Sequence, residues 1–305
     1  MARDVANVWW AMFGFSVVVL VVVSALWIYA MLRQPRTHSA EEAKRINRRW
    51  IIGGGLVLPT VSIVALLAFG IPTGRSMLPL PVEGEQPLRV QVIGHQWWWE
   101  VRYPESGVVT ANQFILPIDR PVDVEVTSAD VIHSFWVPRL GGKLDMIPGR
   151  RNFLRLQADA PGTYGGQCAE YCGGPHALMG LVVVAHEPQA YAAWREKQVG
   201  PAAVVASPQA PLALIDQGRA VFGASGCAAC HTIRGTEANG LAGPDLTHVG
   251  SRQTLGAGIL PNNQGTMAGW IADSQGVKPG NRMPSYPVLT GQDLRAVSAY
   301  LDSLK

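Results

Sequence analysis

Two cysteines, a histidine and a methionine fall within the short stretch QCAEYCGGPHALMG. Cys168 and Cys172 are four residues apart, and His176 and Met179 follow at intervals of four and three. A further histidine, His133, lies upstream in VIHSFWV, a segment typical of a β-strand. Thiolates, imidazoles and a thioether are soft donors, and together they form a set that suits copper.

Two other chemistries use cysteines at this spacing. A disulfide between Cys168 and Cys172 is allowed in an oxidising compartment, and a zinc site also takes cysteine and histidine ligands. Met179 and His133 favour copper, because zinc sites rarely contain a thioether. A single blue copper needs one cysteine, so two cysteines with two histidines and a methionine are enough for two coppers bridged by two sulfurs. The disulfide and the zinc site remain alternatives on the residues alone.

A second reactive motif, CAACH, contains the remaining two cysteines of the chain, Cys227 and Cys230, followed by His231. The spacing C-x-x-C-H is the signature of covalent c-type haem attachment. Two thiols add to the two vinyl groups of the haem, and the adjacent imidazole reaches the iron. A redox-active cysteine pair is the alternative for a motif this short.

The residues around CAACH favour haem, because a helical segment precedes it, GPDLTHVG follows it, and the amphipathic LTGQDLRAVSAYLDSL ends the chain. Met283, in KPGNRMPSYP, is the expected second axial ligand, and a His/Met pair is the usual ligation of cytochromes c. Met267 and His248 are the other candidates. Met267 lies at an expected helix start, where packing is its more ordinary role, and His248 closely follows a proline.

Two long apolar runs dominate the first quarter of the chain, residues 8–32 and 51–71. Each exceeds the roughly 20 residues that span the hydrocarbon core of a bilayer. A signal peptide usually has an apolar core of only about 7–15 residues and a cleavage site after it. The alternative of a buried hairpin in a soluble protein is less favoured, and two transmembrane helices, about 8–32 and 50–72, are predicted. Pro59 is expected to bend the second helix.

The segment between the two runs is basic, and short basic loops stay on the cytoplasmic side of a membrane. Both termini and everything after about residue 74 are therefore expected on the outer face. The formal net charge of +3 is too small to indicate a nucleic-acid partner. The loop's basic residues are Arg33, Arg36, Lys44, Arg45, Arg48 and Arg49, against the acidic Glu41 and Glu42.

The rest of the chain divides into segments of different residue composition. Short segments rich in β-branched residues, separated by turns, predict an all-β domain over residues 75–190. Alanine, proline and serine indicate a semi-extended linker over 191–212. The segment 213–305 is expected to be all-α. With residues 1–74 as a helical hairpin, the fold class is a multi-domain membrane protein.

The stretch CAEYCGGPHALM resembles the copper loop of subunit II of haem–copper cytochrome c oxidases, C-x-E-x-C-x-x-x-H-x-x-M. GHQWWWE and LGGKLDMIPGRRN are similar to two further blocks of that family, and the likeness covers residues 1 to about 190. It implies a cupredoxin-like Greek-key domain with a dinuclear copper centre, CuA, followed by a class I cytochrome c domain. By this resemblance Cys168 and Cys172 bridge the coppers, and the other ligands are His133, His176, Met179 and the carbonyl of Glu170.

The same resemblance implies further site residues. The side chain of Glu170 is expected on a magnesium ion shared with subunit I. Trp97, the first aromatic of WWW, is expected to be exposed and to pass electrons to CuA, although strand alternation, which puts Trp97 and Trp99 on one face and Trp98 on the other, also allows core packing. The charges of Lys143, Asp145 and Arg150 are expected to face the catalytic subunit, the alternative being ordinary surface charges.

The order of the parts resembles subunit II of a caa3-type oxidase with a fused cytochrome c. The implied function is to pass electrons from an external donor, cytochrome c or a quinol–cytochrome c reductase complex, through one covalent haem c and CuA to haem a and the haem a3–CuB centre of subunit I. There dioxygen would be reduced to water with proton pumping. The implied location is a bacterial cytoplasmic membrane, in contact with lipid and with other oxidase subunits. A nitric oxide reductase subunit and a copper-carrying membrane protein are the alternatives.

Overall fold

The computed structural model describes residues 2–34, 37–81 and 86–305, and it divides into two compact units, Met1–Leu80 and Pro81–Lys305. The first unit is helical. Its helices are α1 (Ala2–Leu32), α2 (Ala40–Ile52) and α3 (Leu58–Ser76). The two stretches Arg3–Leu32 and Ala40–Ser76 are long and apolar enough to cross a membrane, and each contains an 18-residue window of high mean hydropathy, 2.5 in the first and 2.3 in the second.

The second helical stretch begins ten residues before its predicted start. Ser39 and Glu42 form a reciprocal capping box, in which each side chain accepts a hydrogen bond from the other residue's backbone N–H at 3.3 Å. This cap satisfies two free N–H groups, so the basic segment after it is helical rather than a loop. The first helix likewise begins at Ala2 rather than near residue 8. Arg36 of the predicted basic loop lies outside the described residues.

Pro59 is the second residue of α3, which follows a π-helical segment, Gly53–Val57, that joins α2 to α3. Proline has no N–H to donate, and its ring crowds the carbonyl four residues earlier, here that of Gly55. A wider helical turn relieves this crowding. The bend expected at Pro59 stays a prediction.

The β-rich part of the second unit is a sandwich of two five-stranded sheets. One has the order β3-β2-β1-β5-β8 and the other β4-β10-β9-β6-β7, with β1/β5 and β10/β4 parallel and the other pairs antiparallel. Alternating burial, as in Val122–Ser128, places one face of each strand in a shared core. The strands are β1 (Leu88–His95), β2 (Trp98–Tyr103), β3 (Val108–Ala111), β4 (Gln113–Pro117), β5 (Val122–Ser128), β6 (His133–Trp136), β7 (Leu144–Met146), β8 (Asn152–Leu156), β9 (Gly162–Cys168) and β10 (Gly180–His186).

A helix, α4 (Pro188–Val199), follows the last strand and packs on the sandwich. Tyr191 is buried, and Trp194 lies edge-on to Tyr103 at 5.2 Å between ring centroids. The predicted domain boundary at residue 190 thus falls inside a helix, and the first nine residues of the predicted linker belong to it. Tyr191 and Trp194 are three residues apart and so lie on one face of the helix, and the packing of this face on the sandwich explains why the helix extends past residue 190.

The C-terminal part is helical, with α5 (Leu212–Ala224), α6 (Gln264–Ala272), α7 (Ser274–Val277) and α8 (Gly291–Ser303), and a short hairpin of β11 (Thr254–Leu255) and β12 (Leu260–Pro261). Helices α5 and α8 cross closely at Gly218, where an added Cβ would lie 2.0 Å from the Ala296 carbonyl oxygen. The predicted layout is confirmed: two apolar helices, an all-β sandwich and a helical C-terminal part.

Replacing Gly218 by alanine should destabilise the C-terminal helices by about 1–3 kcal/mol or more, because the new methyl group forces α5 away from α8. The matched control is Gly223→Ala in the same helix, where a Cβ meets nothing within 4 Å, and where alanine should stabilise by about 1 kcal/mol. Hydrogen exchange of α5 and α8 peptides in increasing urea measures both. Equal effects of the two variants would contradict the assigned packing.

Candidate functional site

The loop between β9 and β10 gathers the predicted copper-site residues into one cluster. The Sγ atoms of Cys168 and Cys172 are 3.8 Å apart, and both thiols are free. The Nδ1 of His176 lies 3.5 Å from Cys172 Sγ, and the Sδ of Met179 lies 3.8 Å from the same sulfur. The carbonyl oxygen of Glu170 lies 3.2 Å from Cys168 Sγ. Five of the six predicted donors therefore come from twelve consecutive residues.

His133 supplies the sixth donor from the start of β6, a strand that pairs with β9. Its ring is fully buried, and its Nδ1 lies 3.9 Å from Cys168 Sγ. The opposite nitrogen, Nε2, donates to Asp130 Oδ1 at 2.9 Å, which leaves the lone pair of Nδ1 facing the sulfurs. The ring also rests on Gly94, where an added Cβ would lie 2.7 Å from the His133 Cδ2.

Burial sets the protonation state of this cluster. It raises the pKa of the Cys172 thiol to about 12, and the neighbouring Cys168 thiol acts in the same direction. Burial also lowers the pKa of His133, although the Asp130 carboxylate opposes the effect. At neutral pH the metal-free cluster thus has a neutral imidazole and a protonated thiol, and a bound metal must displace a thiol proton. His133, Cys168 and Cys172 can hold a metal ion, since their ligand atoms lie within 4.8 Å of one another.

The surface next to this cluster carries the remaining predicted interface residues. The side chain of Glu170 is exposed, and so are Lys143, Asp145 and Arg150. Tyr171, the residue after Glu170, is 74% exposed. The carbonyl of Glu170 thus points into the cluster while its carboxylate points outward.

The second set of predicted residues lines a cavity of about 380 Å³ in the C-terminal part. Cys227, Cys230, His231 and Met283 all line it, with apolar walls that include Phe222, Val297 and Leu301. His231 donates from Nδ1 to the Pro244 carbonyl at 2.7 Å, so that Nε2 keeps the lone pair an iron ligand needs. Gly243 makes room for this ring, since a Cβ there would lie 2.7 Å from His231 Cε1.

Met283 is held by its own backbone. Its N–H donates to Asn281 Oδ1 at 2.7 Å, and its carbonyl accepts from Ser274 Oγ and Gln275 Nε2, each at 2.7 Å. The two other candidates are placed differently. Met267 lies in α6 and is buried in the core, although it also lines the cavity, and His248 Nε2 contacts the Gly200 carbonyl at 3.1 Å.

A buried arginine tests whether the cavity suits a haem. Arg252 lines the cavity, and its Nε is buried with no hydrogen-bond partner. Burial lowers the pKa of its guanidinium to about 10, against the pull of Asp245. An unpaired buried donor is costly, and an anionic group in the cavity removes that cost. A haem propionate is such a group, so the residues present fit the cofactor that C-x-x-C-H indicates.

The three tryptophans of WWW occupy three different environments. Trp99 is fully buried in the sandwich core, and Trp98 stacks on His95 with ring centroids 4.3 Å apart. Trp97 lies in the turn between β1 and β2, outside both strands, so strand alternation does not reach it. It is half-buried rather than exposed, and it lines the cavity that Cys227 and His231 also line.

Trp97 also contacts the copper-site loop. Its Nε1–H donates to the Cys172 carbonyl at 3.0 Å, and the same oxygen accepts from Gln96 Nε2 at 2.9 Å. The ring lies against Gly173, whose φ of +111° is a conformation that glycine favours and whose added Cβ would lie 3.1 Å from Trp97 Cζ2. One side chain therefore lies between the two candidate centres.

Known families match both halves of the second unit. Residues 106–186 match the family described as cytochrome c oxidase subunit II, periplasmic domain, and residues 215–305 match cytochrome c. Cytochrome c oxidase subunit 2 of Alkalihalophilus pseudofirmus is 42% identical over 253 residues, which are 82% of this chain and 71% of that protein. The protein of the same name from Bacillus sp. (strain PS3) is 32% identical, over 82% of this chain and 74% of that protein.

Among solved structures, the periplasmic domain of subunit II of cytochrome oxidase from Bradyrhizobium japonicum is similar. It is 32% identical, over 38% of this chain and 96% of that chain, with a TM-score of 0.37.

The fold and the two centres define a membrane-bound electron-transfer subunit with a domain outside the membrane. The chain belongs to the cytochrome c oxidase subunit II family, in the form that carries a C-terminal cytochrome c domain. The predicted family is thereby confirmed, as is membership of an oxidoreductase complex. The subunit II domain implies copper, and the cytochrome c domain implies haem c.

Several residues that shape these sites were not identified from the sequence. They are Gly94, Asp130, Gly243, Arg252 and Lys278. Gly94, Gly243 and Lys278 stand within stretches already quoted, GHQWWWE, GPDLTHVG and KPGNRMPSYP. The roles of Lys278, Asp130 and Arg252 depend on burial and on contacts across the fold, which the local pattern does not show.

Metal binding to the copper-free, haem-containing protein should release protons and become tighter as pH rises from 6 to 9. The raised thiol pKa keeps Cys172 protonated throughout this range, so each proton displaced should increase affinity by up to about tenfold per pH unit. Zn²⁺, which does not oxidise thiols, is a suitable probe in weakly buffered titrations. Cys172→Ser should release about one proton fewer, and pH-independent binding would contradict the protonation state described.

Proposed function

We propose that this chain is the subunit at which electrons enter a respiratory terminal oxidase. It would receive them from an external donor at haem c and pass them through dinuclear copper to subunit I, where dioxygen is reduced to water and protons are pumped. When bound, the haem and the copper centre supply the one-electron redox chemistry. The residues of the chain bind these groups, orient their ligands and keep the space between them filled with protein.

The observation that carries this proposal is the position of Trp97. Trp97 lines the haem cavity, and its indole N–H donates to the carbonyl of Cys172. A haem bound through Cys227 and Cys230 would thus share a wall with a side chain bonded to a copper ligand. This contact supports Trp97 as the electron-transfer residue. It also supports the haem of this chain, rather than a separate protein, as the electron donor to the copper centre.

The ligand assignments belong to the proposal. Cys168, Cys172, His133, His176, Met179 and the carbonyl of Glu170 would hold the copper, both histidines through Nδ1. The two thiolates would supply negative charge that offsets the charge of the metal, and their burial would keep water away. Cys227 and Cys230 would hold the haem through thioether links, and His231 and Met283 would bind its iron.

The exposed surface beside the copper loop supports a contact with subunit I. Glu170 presents its carboxylate there, in keeping with a magnesium ion shared between the subunits, and Lys143, Asp145 and Arg150 are exposed for interprotein contacts. Tyr171 and Ile132, exposed by 74% and 45%, provide apolar area. An aromatic side chain with charged neighbours is typical of an interface.

The proposed location is a bacterial cytoplasmic membrane, crossed twice, with both termini on the periplasmic side. Its support is the pair of apolar helices and the basic residues between them, including Arg45, Arg48 and Arg49. This orientation leaves the copper and haem domains on the side where the external donor is found.

Replacing Trp97 by phenylalanine should slow reduction of the copper centre from haem c at least about tenfold, because the ring shrinks and the bond to the Cys172 carbonyl is lost, a change of about 1.4 kcal/mol in barrier. Stopped-flow absorbance at the haem and copper bands of the purified complex measures the rate. Trp194→Phe, a packing change in α4, is the matched control. An unchanged rate in Trp97→Phe would reject the assignment of this residue.

Purification of the intact complex tests the function as a whole. A mixed-valence copper spectrum with donor-dependent dioxygen uptake is the expected result. Turnover of nitric oxide in place of dioxygen would instead indicate a nitric oxide reductase with the same electron-input chain. A labile mononuclear copper without a stable partner complex would indicate a copper carrier.

A further inference from the structure

Lys278 is a buried lysine between the copper and haem parts of the second unit. It is only 2% exposed, and its side chain donates three hydrogen bonds to main-chain carbonyls. The acceptors are Trp97 at 2.7 Å, Leu178 at 2.7 Å and Gly256 at 3.0 Å. An ammonium group has three donors, so all three are used.

The three carbonyls come from both sides of the contact. Trp97 lies in the turn between β1 and β2, and Leu178 lies in the copper loop next to Met179, whereas Gly256 lies in the β11–β12 hairpin of the cytochrome part. A buried lysine is costly to desolvate, and charge-assisted hydrogen bonds offset that cost only when the geometry is retained. The ammonium group therefore stabilises one relative placement of the two parts over others.

Neighbouring contacts define the same interface. The Gly180 N–H donates to the Ala257 carbonyl at 2.9 Å, and the Gln253 N–H donates to Gln113 Oε1 at 2.8 Å. The approach at Gly180 is close, since a Cβ there would lie 2.9 Å from the Ala257 oxygen. Both bonds join a strand of the sandwich to the segment that holds β11 and β12.

We propose that Lys278 is a positioning residue, which locks the cytochrome c domain onto the copper domain so that Trp97 forms the wall between the two centres. Its part in electron transfer rests on the function proposed above, whereas its part in holding the two domains together does not. Lys278 touches neither ligand set directly. It acts by fixing the turn that contains Trp97 and the loop that contains Leu178 against the haem-binding part.

Hydrogen exchange of the full chain tests the locking role. In Lys278→Met, peptides that contain the Gly180 and Gln253 amides should exchange at least about tenfold faster, equivalent to about 1.4 kcal/mol of docking free energy, while α5 and α8 peptides keep their rates. The matched control is Lys305→Met, because its ammonium bonds the Gly250 carbonyl and Asp302 within the cytochrome part alone. This control should leave the Gly180 peptide unchanged.

Rapid kinetics of the loaded complex test the positioning role. Lys278→Met should keep the wild-type haem and copper spectra and the wild-type rate of haem reduction by the external donor. Transfer from haem to copper should slow at least about tenfold. Normal transfer in this variant, or faster exchange confined to α5 and α8, would overturn the proposal.

A second variant covers the case in which Lys278→Met does not fold. Gln113→Ala removes only the acceptor of the Gln253 amide. It should give a smaller rise in hydrogen exchange at Gly180, and it should slow electron transfer from haem to copper to a similar order of magnitude. No change in either would overturn the proposal. If the wild-type complex itself shows no transfer from haem to copper, the proposed function fails, and the exchange result still decides the locking role.

Discussion

Two histidine rings are each fixed by one hydrogen bond on the side away from the metal site, and the rest of both centres is arranged around them. His133 bonds the Asp130 carboxylate, and His231 bonds the Pro244 carbonyl. In each case the bond selects the tautomer, and a glycine packed against the ring leaves room for it. The same solution appears in a β-sandwich and in a helical domain, because an imidazole ligand has the same requirement in both.

Asp130 shows how far one such bond extends. It also accepts the Gln96 N–H at 2.8 Å, at the start of the turn that carries Trp97. The exposed Arg282, next to Met283, approaches the same carboxylate at 3.5 Å. A single side chain thereby contacts the histidine, the turn and the cytochrome part. Because Gln96 and Arg282 are distant from Asp130 in sequence, these two contacts exist only in the folded protein.

The sequence was sufficient to predict the groups of metal-binding and haem-binding side chains that lie close together in the chain. The Cys168–Met179 loop and the CAACH motif are local, and the structure brings the donors of each together. Helix ends were predicted less well, since the Ser39 cap outweighs the apolar pattern. The burial of Trp97 and the role of Lys278 were not predictable, because their bond joins residues 181 positions apart. Neither periodicity nor composition records such a contact.

The segment after α4 has a consequence for how the chain obtains electrons. Arg234 bonds the carbonyls of Gln198 and Val199, and Val204 pairs with Leu304 at the end of α8. A segment secured along its length cannot act as a swinging arm, so under the proposed function the haem domain would be a fixed relay rather than a shuttle. An external donor would then have to dock on this domain where it lies. Turnover at low levels of a diffusing donor should follow donor concentration and ionic strength, not the length of the segment.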